Sequence, residues 1–216
     1  MSERGDARLL ERLRDGSRAL DLAMPEPALE RLLTYLHELQ RWNQTYNLTA
    51  VRHLEEMVPR HALDSLAVHR FVAGSHVADA GTGAGLPGIP LALALPDTHV
   101  TLIDSGVKKV RFLRHIAGLL ALPGVEVVHA RIEDYSPASA FDTVVARALA
   151  PVPRLLALAG HLCRPGGRML AMQGRRQEAE LDALPHGWNV EAVEQLTVPC
   201  LDAQRHIVVL RRADYT

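Results

Sequence analysis

The stretch best equipped for chemistry in this 216-residue chain is Asp79-Ala-Gly81-Thr-Gly83-Ala-Gly85-Leu86-Pro87-Gly88, which follows an apolar run at Val77 and leads into a helical run, Ile89 to Leu95. Glycines in a strand-to-helix turn let backbone N–H groups approach a ligand closely and let the following helix present its positive end. Two frames compete. Gly83-x-Gly85-x-x-Gly88 satisfies a dinucleotide fingerprint, and Asp79-x-Gly81-x-Gly83-x-Gly85 satisfies the acidic glycine pattern of S-adenosylmethionine sites. An acid in the pocket suits a cationic methionine moiety and repels a pyrophosphate, and Pro87 removes one N–H from any phosphate-binding set. S-adenosylmethionine is therefore the expected cofactor, and a nicotinamide-dependent oxidoreductase is the less favoured alternative.

Asp104 ends the second strand-like run, 23 residues beyond Gly81, where two carboxylate oxygens can hold both ribose hydroxyls; its competing role is to cap a helix from Ser105 onward. After the third strand comes Arg131-Ile132-Glu133-Asp134, placed by the fold to flank an adenine. After the fourth, Asp142-Thr-Val-Val-Ala-Arg147-Ala-Leu-Ala-Pro151 contains neither an Asn/Asp-Pro-Pro-aromatic motif for exocyclic amines nor a Pro-Cys nucleophile for carbon-5 chemistry. Pro199-Cys200 spells that dipeptide between the last two strands, where a buried or partly buried inert thiol is expected. What remains is a target that needs no deprotonation, such as a ring nitrogen with an exposed lone pair, so alignment and electrostatics carry the reaction. P-loop, HExxH and GxSxG motifs are absent, and the 11 histidines show no metal-ligand spacing, so no metal is expected.

The elements that must position these residues follow from periodicity. Glu3 to Leu22, Pro25 to Trp42 and Glu55 to Val72 carry apolar residues at helical spacing. Strand-like runs begin at Val77 and recur at Val100–Ile103, Val125–Val128, Thr143–Val145, Arg168–Met172, Val190–Val198 and His206–Leu210. Helical patterns separate the first five, which is the rhythm of a parallel sheet with helices on both faces, and the last two form an antiparallel hairpin. This layout is the α/β, Rossmann-like class I S-adenosylmethionine-dependent methyltransferase fold, with its crevice at the carboxyl ends of the strands. The expected organisation is an N-terminal helical segment, 1–73, and a cofactor-binding domain, 74–216, in one compact unit.

Composition bounds the partners. At 48% hydrophobic and 23% charged the chain can bury a sizeable core, and its two cysteines, Cys163 and Cys200, form no CxxC pair. No apolar run approaches the roughly 20 residues of a membrane span, and the mixed-charge N-terminus is not a secretory signal, so a cytoplasmic location and no membrane partner are expected. The net charge is only −1, yet the charge is segregated: Thr143 to Arg176 holds six arginines and no acid, and Lys108, Lys109, Arg111 and Arg114 form a second acid-free group.

Trp42-Asn43-Gln-Thr-Tyr46-Asn47-Leu48-Thr49, Arg60-His61-Ala-Leu63-Asp64-Ser65-Leu66, the glycine segment with its Leu86-Pro87-Gly88-Ile89-Pro90-Leu91 extension, Leu102-Ile-Asp104-Ser and Lys109-Val-Arg111-Phe112-Leu113 together resemble the bacterial small-subunit ribosomal RNA methyltransferase family RsmG, also called glucose-inhibited division protein B. The resemblance spans about residues 20–211. It implies S-adenosylmethionine-dependent methylation of guanine N7 in 16S ribosomal RNA, on the RNA or the 30S subunit; nothing in the sequence demands more than a monomer, which is the expected state. It also implies cofactor contacts at Gly81, Leu86, Ile132, Glu133 and Arg147, beside Gly83 and Asp104 from the pattern above. A small molecule or a protein is the alternative methyl acceptor. At Met172-Gln173-Gly174 the sequence departs from relatives that commonly have lysine before the glycine. Guanine N7 carries no proton, so no catalytic base is assigned; Arg147 is expected to hold the cofactor or to be neutralised by Glu133 or an RNA phosphate. Arg175, Arg176 and Arg205, with Arg164, Arg168, Arg211 and Arg212, are the arginines expected to meet RNA phosphates.

Overall fold

The computed structural model describes residues 3–174 and 184–214. Seven strands, β1 (His76–Ala80), β2 (His99–Asp104), β3 (Val125–His129), β4 (Phe141–Arg147), β5 (Cys163–Gln173), β6 (Trp188–Gln195) and β7 (His206–Arg212), form one sheet in the order β3-β2-β1-β4-β5-β7-β6. The pairs among β1 to β5 are parallel, and β7 runs antiparallel to both β5 and β6. The order reverses at β1 and β4, so the crevice outside their carboxyl ends is the ligand position of an open α/β sheet. Residues 175–183, which include Arg175 and Arg176, lie outside the described residues.

Strand interiors such as Val77–Ala80 and Val144–Ala146 are buried throughout, as a parallel sheet covered on both faces requires. Successive side chains of β4 enter opposite cores. Val145 joins the larger cluster, with helices α1 (Glu3–Ala19), α2 (Glu26–Tyr46), α5 (Gly88–Ala94) and α6 (Val107–Leu119), and Val144 and Ala146 join the smaller one with α7 (Val152–Ala159). The larger cluster runs without interruption from Leu9 and Leu13 to Val209, so the N-terminal helices and the sheet share one core.

Two expectations are corrected here. The helical stretch expected over 55–72 is broken into α3 (Leu54–Met57), a π-helical turn (Val58–Leu63), α4 (Asp64–Leu66) and a 3-10 turn (His69–Phe71). Pro59 has no N–H to continue the ladder and its ring crowds the carbonyl four residues back, so the turn widens. β6 is expected at Val190 to Val198 but occupies Trp188–Gln195, because its register against β7 slips at Val190/Ala192 and Leu196 N–H closes the connection on Arg205 C=O at 2.7 Å.

Candidate active site

The glycine turn is held from three sides. Gly81 and Thr82 N–H both donate to Ile103 C=O, at 2.9 and 3.1 Å, which tie the end of β1 to the end of β2. Gly81 and Gly83 have φ of +72° and +61°, a conformation that disfavours any side chain. At Gly83 a Cβ would meet only Gly81 C=O at 4.0 Å, so its backbone faces open space; at Gly81 it would press on Leu149 at 2.8 Å. From the larger core, Tyr35 of α2 donates its buried hydroxyl to Ala84 C=O at 2.9 Å, and burial pushes that phenol's pKa up.

The two strand-end acids have different duties. Asp79 is fully buried, and its Oδ2 accepts from Thr82 Oγ1 (2.6 Å) and from Gly88 N–H (2.7 Å), the first amide of α5. Its carboxylate therefore closes the turn and caps α5 instead of facing a ligand, which corrects the expected pocket acid. That cap occupies the amide a pyrophosphate would need, so the dinucleotide frame loses its helix end. Asp79 Oδ1 is buried without a partner, and burial raises the pKa to about 6 against the opposing bonds from Thr82 and Gly88. Asp104 accepts Gly83 N–H at Oδ2 (2.9 Å), Gly106 N–H at Oδ1 (2.8 Å) and the Lys109 ammonium at Oδ2 (3.3 Å). Gly106 is the N-cap residue of α6, so Asp104 braces the residue that precedes the helix, with no side-chain cap bond to the first turn of α6. A carboxylate offers about four acceptor positions, which leaves Oδ1 with room for a ribose hydroxyl.

Of the other expected cofactor residues, Ile132 is buried with its Cδ1 3.5 Å from the Cβ position of Gly81, and Glu133 is half exposed and lies 3.7 Å from Arg131. Leu86 is only 3% exposed and belongs to the larger core, so its side chain turns away from the crevice. Arg147 does not pair with Glu133: its guanidinium donates to Asp64 Oδ2 at 3.3 Å and to Arg60 C=O at 3.2 Å.

Asp64 is the residue that reading for motifs alone left without a role. Its carboxylate, 4% exposed, also accepts Arg205 Nε at 2.7 Å, so two guanidiniums share one carboxylate and the group carries a net charge of +1. The Arg60-His61 backbone that bears it is fixed by a local network. Asn43 binds Thr49 N–H at 2.9 Å and Val51 C=O at 3.2 Å, and Thr49 Oγ1 lies 2.8 Å from His61 Nε2. Burial first, then the nearby Arg147 charge, hold His61 down to about 4, hence neutral near pH 7. The Trp42-to-Thr49 and Arg60-to-Leu66 motifs thus meet as one support, with the Asp64 carboxylate on the residue immediately after the π-turn. Trp42 packs on Phe112 and His115, with centroids 5.5 and 5.3 Å away.

A cavity of about 340 Å³ opens at the ends of β4 and β5, lined by Asp64, Arg147, Met172, Leu196, Arg205 and His206 among others. Gln173, at the departure from the resembled pattern, also lines it. His206 Nδ1 is buried with no partner among the described residues. The arginines expected to meet RNA are mostly bound internally: Arg164 to Asp142 at 2.6 Å, Arg168 to Glu191, and Arg212 to the carbonyls of Gly160 and Cys163. Arg211 is exposed. The acid-free run of the sequence is therefore not acid-free in space. Cys163 is the buried thiol, pushed up to about 12 by burial, whereas Cys200 is exposed, contrary to expectation. Among the described residues no cluster of three or more His, Cys, Asp or Glu could hold a metal, and no helix is long and apolar enough to cross a membrane.

Solved structures with this fold include an S-adenosylmethionine-dependent methyltransferase from Aquifex aeolicus (16% identity, TM-score 0.55, covering 69% of this chain and 89% of that one). Another is the 1,6-didemethyltoxoflavin-N1-methyltransferase of Burkholderia thailandensis (16%, TM-score 0.57, 82% and 90%). Proteins named ribosomal RNA small subunit methyltransferase G are 49% identical over 91% of both chains in Xanthomonas oryzae, and 45% identical over 92% of this chain and 93% of the relative in Nitrosococcus oceani. The family model for rRNA small subunit methyltransferase G (GidB) matches residues 28–208, and the chain belongs to that family.

Proposed function

We propose that the protein transfers a methyl group from S-adenosylmethionine to N7 of a guanine in 16S ribosomal RNA, acting as a monomeric cytoplasmic enzyme in which residues 1–73 and 74–216 work as one unit. One observation carries the two-substrate reading. The segment after β4 serves both halves of the crevice: Leu149 lies against Gly81 of the glycine turn, while Arg147 and Ala148 line the neighbouring cavity. Donor and acceptor would therefore meet across three consecutive residues.

The residues present fit the cofactor: Gly83 has open space before it, Asp104 keeps an acceptor position, and Ile132 stands over Gly81. Gly81, Gly83, Asp104 and Ile132 would hold it, with Glu133 at the rim and Leu86 contributing through its backbone. When bound, S-adenosylmethionine supplies an electrophilic methyl group. Guanine N7 has a lone pair and no proton, so the chain must orient the base and exclude water, with no proton to remove. Methylation leaves positive charge on the purine, which two unpaired arginines would oppose. Asp64 offsets one of the two charges of Arg147 and Arg205, and Arg205, about a quarter exposed, retains donors for RNA. Arg175 and Arg176 remain part of the proposed RNA contact set.

The test is incubation with methyl-labelled S-adenosylmethionine and 30S subunits, naked 16S rRNA or a small-molecule extract, followed by nucleoside analysis. Label in 7-methylguanosine of 16S rRNA is expected; label only in a small molecule or in protein would overturn the proposal.

A further inference from the structure

We propose that the outward face of α6 is an RNA-docking track, on which Lys108, Arg111 and Arg114 bind phosphates of the rRNA that carries the target base. The proposal rests on ribosomal RNA being the substrate, and it places that RNA on a face distinct from the Arg147–Asp64–Arg205 cluster.

The first support is that three cations without a carboxylate partner among the described residues cluster on one helix. Arg14, Arg41, Arg70, Arg131, Arg147, Arg164, Arg168 and Arg205 each have a carboxylate within 4.0 Å. Lys108, Arg111 and Arg114 are exposed, and none has an ion-pair partner among the described residues. They recur every three residues along a helix whose 13 residues contain no acid, so neighbouring heads project from adjacent turns of one side.

The second support is what surrounds them. The nearby acids are already engaged: Glu38 of α2 by Arg41 (2.5 Å) and His115 (2.8 Å), and Asp104 by Lys109. Among the described residues no carboxylate pairs with the three cations, so they project a single-sign field toward solvent. The face is also more than solvated charge. Val107 at its start is 53% exposed, and the Lys108 ammonium lies 5.7 Å from the ring centroid of Tyr46, itself 36% exposed. Third, the track begins at the crevice, because the first turn of α6 carries Lys109 on the Asp104 carboxylate. A strand of RNA lying on α6 would thus reach the rim of the cofactor site.

Binding of a 16S rRNA fragment measured against salt concentration decides the matter. For K108Q/R111Q/R114Q the slope of log affinity against log salt should become shallower by about 2.1–2.7, at roughly 0.7–0.9 per phosphate contact, with a loss of affinity on the order of a hundredfold near 0.15 M salt. K108R/R111K/R114K, which keeps the charge, should restore the parent slope. Unchanged S-adenosylmethionine binding by calorimetry certifies the fold of the triple variant; if it is lost, the three single Gln variants replace it, each expected to lower the slope by 0.7–0.9. A neutralised face with the parent's slope, on a parent that does methylate 16S rRNA, overturns the track and leaves the function standing. A parent that neither binds nor methylates that RNA overturns the function itself.

Discussion

At the ends of β1 and β2 the carboxylates answer to backbone donors close in sequence: Asp79 to Gly88, nine residues on, and Asp104 to Gly106 and Gly83, two residues on and 21 back. On the other side of the crevice Asp64 is held by guanidiniums 83 and 141 residues away, one at the end of β4 and one immediately before β7. The carboxylates of the cofactor side are thus placed by local turns and one adjacent strand, with Tyr35 of α2 the one long-range grip on that turn, and the acceptor side forms only when three distant segments have docked. The two sides should respond differently to perturbation, the first losing ligand affinity and the second losing stability.

Asp64→Ala should give the largest effect. It strands two part-buried guanidiniums, and removing one partner of a buried charge network costs about 3 kcal/mol of unfolding free energy, at the low end because both arginines are roughly a quarter exposed. Urea unfolding reads this directly, and a loss below 1 kcal/mol would break the comparison. Asp104→Ala should weaken S-adenosylmethionine by about 1.5–3 kcal/mol in calorimetry, as for a lost charged hydrogen bond, with a smaller change in unfolding. Unchanged affinity would reduce Asp104 to a brace for the residue before α6.

The smallest effect concerns pH. Asp79 holds its proton up to about 6 in the folded chain and releases it near 3.8 when unfolded, so the native state binds more protons in that window and stability falls as pH rises through it. His61 does the reverse: it titrates at about 4 folded and near 6.5 unfolded, so its contribution rises over the same range. The two oppose each other in the parent protein. In Asp79→Asn, where an amide oxygen can take over both bonds of Oδ2, stability between pH 4 and 6 should climb more steeply than in the parent. Parallel curves would show that Asp79 does not titrate there.

The cofactor side was the more legible in the sequence for the same reason that it is local. The spacing from Gly81 to Asp104, the alternation of strands and helices and the closing hairpin all follow from neighbours along the chain, whereas the pairing of β1 with β4 and of β5 with β7 does not. The direction in which Asp79 points did not follow, because a buried cap on Gly88 and an acid facing a ligand have the same spacing. The pairing of Arg164 with Asp142 and of Arg168 with Glu191 was likewise hidden. Asp142 lies one residue before the window that seemed free of acids, and Glu191 sits on another strand. The cluster at Asp64 required the π-turn, whose cause, Pro59, is visible, but whose target, Arg205, is brought in only by β7.

The hydroxyl of Tyr35 on Ala84 C=O bears on how such an enzyme can be re-engineered. Because α2 reaches through the core to the turn expected to hold the methyl donor, the N-terminal helices are not an interchangeable adaptor. A chimera carrying another relative's helices would inherit a different grip on that turn, and its cofactor affinity would shift even with every crevice residue retained. Grafting at the 73/74 junction would therefore have to carry Tyr35 and its carbonyl partner together.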